Sequence, residues 1–328
     1  MNTFKDVIGR EQVVEHLKNT IRLRKVSHAY IFHGEDGIGK NFVADIFAAA
    51  LQCEEFESEP CGVCKSCLQA AGGNHPDIIH VLHEKATIGV DDIRTQLNND
   101  IQVKPYSSRY KIYIIDEAEK MTEAAQNALL KTIEEPPEYA IIMLLSNNLD
   151  AFLSTILSRC VTLNMKTVPR EKIQQYLMEY CGIPDYQAEL SAAFSGGNLG
   201  KAIKYASSEE FVRRRDEVLH LVKHIEEMPM NEIMEYLKHL AEEKTMIGEY
   251  LDLLLLWYRD VLLFKATKDT GQIIYKEELL TIQKQAAGKS FETLNDIIEA
   301  FSTVRSRLKN NVNFEASVEL LLLAMQRE

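Results

Sequence analysis

Positive charge is what this sequence most lacks. Its 328 residues carry 37 Lys+Arg against 49 Asp+Glu, a formal charge of −12 with histidines neutral. Affinity for a nucleic-acid backbone comes mainly from basic side chains that release counterions, so the balance argues against a stand-alone, nonspecific DNA binder. An acidic subunit inside a larger DNA-handling machine remains open. The N-terminal Met1-Asn2-Thr3-Phe4-Lys5-Asp6 has neither the basic flank nor the apolar run of a signal peptide. The most apolar late stretch, 251–264, is broken by Asp252, Arg259 and Asp260 and is too short and too charged to span a bilayer. A soluble cytoplasmic protein with no membrane partner is expected. Internal repeats and low-complexity tracts are missing too, and 46 % hydrophobic content is ample for several packed cores. At roughly 100–200 residues per domain, the length suggests two or three domains.

The first half alternates helical and strand patterns. Residues 11–23 carry Val13, Val14, Leu17 and Ile21 at helical spacing, and the apolar runs 29–32, 78–82, 112–115 and 141–145 have few polar interruptions. Such runs predict buried parallel strands separated by helices. Beyond about residue 165 the strand signal vanishes. Pro169-Arg170-Glu171 opens a helix, Gly182-Ile183-Pro184 breaks it, and Ser195-Gly196-Gly197-Asn198 breaks the next segment. Amphipathic helices are then predicted over 211–225, 230–242, 246–266, 276–284, 291–308 and 314–327. The expected domains are 1–165, 166–207 and 208–328.

Three constellations carry chemistry. The first is Gly34-Glu35-Asp36-Gly37-Ile38-Gly39-Lys40-Asn41 between a strand and a helix, which fits G-x-x-x-x-G-K-[ST] except at its last position. Gly34, Gly37 and Gly39 let backbone N–H groups turn toward phosphate oxygens, and Lys40 reaches the terminal phosphates. Asn41 replaces the Ser/Thr hydroxyl that ligates Mg²⁺. A neutral carbonyl on a longer stem should hold the ion less well, so the motif is compatible with ATP binding but not with efficient hydrolysis. The second is the strand 111–115 ending in Asp116 and Glu117, where Asp116 would hold Mg²⁺ and Glu117 would orient or deprotonate an attacking water.

The third is Cys53-x7-Cys61-x2-Cys64-x2-Cys67, four of the six cysteines within fifteen residues. In a reducing compartment this reads as a metal site before it reads as disulfides. Four thiolates complete a tetrahedral Zn²⁺ shell with a structural role, fixing the inserted loop at 53–67. An iron–sulfur cluster is the competing ligand. No Pro follows the last cysteine and the fourth ligand lies upstream, which favours zinc. Cys160 and Cys181 are expected to be ordinary core residues.

Taken together, these residues resemble the AAA+ subunits of the bacterial DNA polymerase III clamp loader. The similarity covers most of the first 205 residues. It includes Phe4-x-Asp6-Val7-Ile8-Gly9, His28-Ala29-Tyr30-Ile31-Phe32-x-Gly34, the cysteine cluster, the stretch 127–137 (NALLKTIEEPP) and Ser158-Arg159-Cys160. Length, Asn41 and a helical end without a long extension set the chain apart from the ATP-hydrolysing gamma/tau type. In 195–202 (SGGNLGKA), Lys201 stands where that relative usually carries an Arg, which keeps the charge but loses the planar fork that grips phosphate. Seven residues rather than the usual eight separate the first two cysteines, a one-residue loop change.

The resemblance implies an α/β AAA+ phosphate-loop domain with a zinc-binding insertion, a small helical lid domain and an all-α C-terminal bundle acting as an oligomerisation collar. It implies a replisome-associated cytoplasmic protein working with gamma/tau and delta subunits in a hetero-pentameric ring of the polymerase III holoenzyme. That ring loads the sliding clamp onto primed DNA, which this chain meets through the assembled complex. Arg159 would start a helix facing the adjacent subunit and act as a finger on the neighbour's ATP. The leading expectation is a mostly non-catalytic ring subunit donating Arg159 in trans, with little or no ATPase of its own. An active ATPase using Lys40, Asp116 and Glu117, and a redox sensor built on the four cysteines, are the alternatives.

Overall fold

The computed structural model describes residues 2–55, 58–83, 85–310 and 312–326, with Tyr186 described by its backbone alone. The chain divides into two compact units, one ending at Ile203 and one beginning at Lys204.

Among the described residues of the first unit, five parallel strands form one sheet in the order β2-β3-β4-β1-β5. They are β1 Ala29–His33, β2 Ile78–Val81, β3 Lys111–Ile115, β4 Ala140–Ser146 and β5 Val161–Asn164. Parallel strands need crossovers, and the sequence between them supplies helices. These are α2 Lys40–Gln52, α3 Lys65–Ala71, α4 Val90–Ile93, α5 Glu123–Glu134 and α6 Ser154–Leu157, with α1 Glu11–Arg22 preceding β1. α4 continues into a π-helical turn, Arg94–Asn98.

Alternate strand residues feed opposite faces. Tyr30, Phe32, Ile112, Ile114, Met143 and Leu145 pack with Leu17, Ile21, Val43 and Phe47 of α1 and α2. Ala29, Ile31, Tyr113, Ile115, Ile142 and Leu144 pack with Ile93, Ala125, Leu129 and Ile133 on the other side. With both faces covered, the strands read as continuous apolar runs rather than alternations. β5 was not among the predicted strands. It lies at the sheet edge with Leu163 buried and Thr162 and Asn164 exposed, an alternation too short to register as a pattern.

The expected helical breaks all appear. α7 Arg170–Cys181 stops at Gly182 in the left-handed region, α8 Asp185–Phe194 follows, and α9 Leu199–Ser207 begins after the Gly196-Gly197 turn. Cys160 packs against the core and burial pushes its thiol up to about 12. Cys181 is exposed, correcting the expectation of a core residue: it is the last residue of α7, one turn beyond the buried Leu177, where the helix stops at Gly182 and its apolar stripe runs out.

A buried carboxylate organises the segment before β3. Asp77, 1 % exposed, accepts hydrogen bonds from the N–H groups of Tyr106 (2.6 Å), Ser107 (2.9 Å) and Ser108 (3.1 Å). Its substitution Asp77→Asn turns an amide N–H₂ toward these donors. A loss of roughly 3 kcal/mol in unfolding free energy is expected, measured by urea denaturation.

The second unit is helical: α10 Glu209–His224, α11 Met230–Glu242, α12 Ile247–Thr267, α13 Leu279–Gly288, α14 Phe291–Lys309 and α15 Phe314–Met325. The segment predicted to start at 276 opens as a single 3₁₀ turn, and residue 327 of the last predicted helix lies outside the described residues. The centre of the unit is Trp257 on α12, fully buried, whose indole N–H donates to Gln285 (2.8 Å), which in turn donates to the Val222 carbonyl (2.7 Å). Every buried polar atom in that chain has a partner, as a packed core requires. No described helix is long and apolar enough to cross a membrane.

Candidate functional site

The glycine-rich loop lies between β1 and α2, at the C-terminal end of the sheet. Gly37 and Gly39 adopt positive φ (78° and 97°), which only glycine takes without strain, and the α2 N-terminus therefore opens toward the loop. Gly34 has no room for a side chain: a Cβ there would lie 2.9 Å from the Met165 carbonyl oxygen. A second segment braces the loop from outside. Asn198 Nδ2 donates to the Asp36 carbonyl (2.7 Å) and the Gly200 N–H donates to the Gly37 carbonyl (3.1 Å). Lys201, next in sequence, donates its backbone N–H to Asn198 Oδ1 (3.1 Å), so its helix start is brought against the loop.

Each polar residue expected to meet nucleotide has a partner within the chain. Lys40 Nζ donates to the Gly34 and Glu35 carbonyls (2.7 and 3.0 Å) and faces Asp36 Oδ1 at 3.4 Å. Asn41 Nδ2 donates to Asp116 Oδ2 at 2.7 Å; against a carboxylate only the N–H₂ can point this way. That bond joins the two side chains between which Mg²⁺ would sit, and it turns the Asn41 N–H₂ rather than its carbonyl oxygen toward the acid. The loop, its glycines and the helix start fit a polyphosphate; the Asn41–Asp116 pair does not fit a magnesium site. Glu117 stands at φ 49°, ψ 39°, and its carboxylate faces Lys120 (2.7 Å) and His83 (3.4 Å).

Residues that sequence reasoning missed complete this end of the sheet. Asn147, just past β4, donates to both carboxylate oxygens of Asp36 (3.1 Å each). Asn198 is fully buried. A polar residue directly after a buried strand was the available signal for Asn147; Asn198 lay inside a stretch noted as a helix break and for Lys201, with no role given to the asparagine itself.

Arg159 is elsewhere. Contrary to expectation it does not start a helix: it follows the short α6 and lies two residues before β5, because Val161 and Thr162 extend into the sheet. Its guanidinium bonds the Thr155 carbonyl (3.1 Å) and Glu134 (3.1 Å), and the side chain is 40 % exposed. β5 runs parallel to β1 with Val161 level with Tyr30 and Asn164 level with His33. Arg159 is thus at the opposite end of the strands from the loop, about 20 Å away at ~3.3 Å per residue.

The four cysteines converge. Their sulfurs all lie within 4.8 Å of one another, with Cys53 and Cys67 buried. Cys61 and Cys67 Sγ are 3.9 Å apart, close to the roughly 3.8 Å edge of a tetrahedron with 2.3 Å Zn–S bonds. Backbone N–H groups point at the sulfurs: Cys61 at Cys53 (3.4 Å), Cys64 at Cys61 (3.3 Å) and Cys67 at Cys64 (3.3 Å). The N–H groups of Val63 and Cys64 draw the Cys61 thiol down to about 7, whereas burial raises those of Cys53 and Cys67. This cluster can hold a metal ion. Beside it, Ser66 Oγ bonds His75 Nε2 (2.9 Å), which also meets Ser108 Oγ (3.1 Å), tying the module to the loop before β3.

Comparison with known proteins places these features. Residues 9–169 match the family model "DNA polymerase III, delta subunit" and residues 209–327 match "DNA polymerase III, delta subunit, C terminal". The chain is 31 % identical over 318 residues to DNA polymerase III subunit delta' of Bacillus subtilis, covering 96 % of this chain and 95 % of that one. It is 28 % identical over 323 residues to subunit tau of the same organism, spanning 90 % of this chain but only 57 % of tau. Among solved structures, a gamma subunit-related protein from Thermotoga maritima aligns with a TM-score of 0.51 and 20 % identity, covering 95 % of this chain and 98 % of that one, a likeness of fold. The architecture is that of an AAA+ α/β core followed by a helical C-terminal region.

Proposed function

The chain belongs to the DNA polymerase III delta-prime subunit family, and from that premise we propose that it is the ring member that completes a neighbour's ATP site instead of running its own. The ring is a hetero-pentamer with gamma/tau and delta subunits that loads the sliding clamp on primed DNA. In it, residues 1–165 form the AAA+ domain, 166–207 the lid and 208–328 the collar. Arg159 acts in trans on the neighbour's triphosphate, where a guanidinium stabilises the charge spread over the transferring phosphoryl group.

One observation carries this reading: Arg159 stands at the strand end opposite the chain's own phosphate loop, so it cannot serve that loop. Its exposed ion pair with Glu134 costs little to break. The four cysteines hold one Zn²⁺ as a closed structural shell that stiffens the insertion and leaves no open position for chemistry.

The purified chain is expected to show no Mg²⁺-dependent ATP turnover above background, while the reconstituted loader turns over ATP only when the chain is present. Steady-state phosphate release measures both. Turnover by the chain alone, abolished by Lys40→Ala, would instead support the gamma/tau-type reading, which the presence of Lys40, Asp116 and Glu117 favours.

A further inference from the structure

We infer that Asp36 is a built-in competitor for phosphate at the chain's own loop. The inference rests on the reading of that loop as a nucleotide site kept silent, and it names the group that silences it. Sheet order puts β4 between β1 and β3, so Asn147 at its end stands between the phosphate loop and Asp116. Over this point lies the Asp36 carboxylate, accepting from Asn147 on both oxygens (3.1 Å each) and facing Lys40 Nζ at 3.4 Å. An ammonium and an amide N–H₂ aimed at one anion form a donor set that suits a phosphoryl group equally well.

The accounting of protons is complete. A lysine ammonium has three N–H donors, and Lys40 has three acceptors: the Gly34 carbonyl, the Glu35 carbonyl and Asp36. Asn198 holds the Asp36 backbone by its carbonyl (2.7 Å), so the carboxylate is presented from a braced position. The Asp36 side chain is nonetheless 78 % exposed. It is a latch that an incoming polyphosphate must displace, and once displaced its charge stays beside that polyphosphate. Both effects weaken binding.

The test is a titration of the full chain with N-methylanthraniloyl-ATP, without and with Mg²⁺, followed by fluorescence anisotropy. Asp36→Ala is expected to bind at least tenfold more tightly than wild type, the scale on which removing one exposed charge a few ångströms from a polyphosphate acts. Asp36→Asn keeps the shape and is expected to gain in the same direction; it decides the matter if Asp36→Ala melts early. Adding Lys40→Ala to Asp36→Ala should cancel the gain, which locates the probe in this loop. Affinities within twofold of wild type for both single variants overturn the inference, as does a gain that survives Lys40→Ala. Whether Arg159 serves a neighbouring site is read in the assembled loader, so failure of that reading would leave this result standing and the reverse.

Discussion

Arg159→Ala is expected to lower ATP hydrolysis at the site it completes by on the order of 10³-fold or more. Its measurement is single-turnover hydrolysis by the reconstituted loader in the presence of clamp and primed DNA. The size follows from what the guanidinium does: it meets charge that grows on the transferring phosphoryl group, so it acts on the barrier more than on ground-state binding. Arg159→Lys should recover little, because an ammonium has no planar fork to span two oxygens. Neither substitution should disturb the fold. The side chain is 40 % exposed and its partners, Glu134 and the Thr155 carbonyl, lie at the surface, so stability should stay within about 0.5 kcal/mol of wild type. A wild-type rate with Arg159→Ala removes the finger assignment, since folding cannot mask it.

Much of the architecture was legible because buried parallel strands are locally conspicuous. Ile112 to Ile115 and Ile141 to Leu145 are buried on both faces and read as strands without any tertiary information. β5 escaped because an edge strand buries one side chain in two and this one has four residues. Arg159, which the resemblance placed at the start of a helix, instead follows the end of α6 and leads into this strand. The glycine loop, Asp116 and the cysteines were found by spacing, which is a property of the chain. What those groups touch is not. Asn41 and Asp116 are 75 residues apart, and a substitution read as a weak metal ligand proves to be a hydrogen-bond donor that occupies the acid. Asp36 sat at a variable position of the motif and only acquires meaning when β4 brings Asn147 to it from 111 residues away.

Removing the metal from the cysteine module should open that module and leave the sheet intact. Zn²⁺ in small structural sites has apparent binding free energies of roughly 10–16 kcal/mol at neutral pH, so loss of one thiolate from a closed shell should empty the site. Cys67→Ser is the sharpest case, because Cys67 is fully buried and its backbone N–H also bonds Cys64. Wild type is expected to carry about one zinc per chain by elemental analysis and Cys67→Ser well under a tenth of that. The two apolar clusters on the sheet faces contain none of the four cysteines, so far-UV circular dichroism should change little. α3, which carries Cys67 and bonds His75 through Ser66, should lose its amide protection from hydrogen exchange, and with it the Ser108 contact on the loop before β3. The pH dependence has a definite sign. Burial raises the Cys53 and Cys67 thiols in the metal-free module, so metal binding displaces their protons, and apparent zinc affinity should fall as pH is lowered. A coloured preparation containing iron in place of zinc would overturn the structural-zinc reading. Full helix protection in metal-free Cys67→Ser would show that the module holds its shape by packing alone.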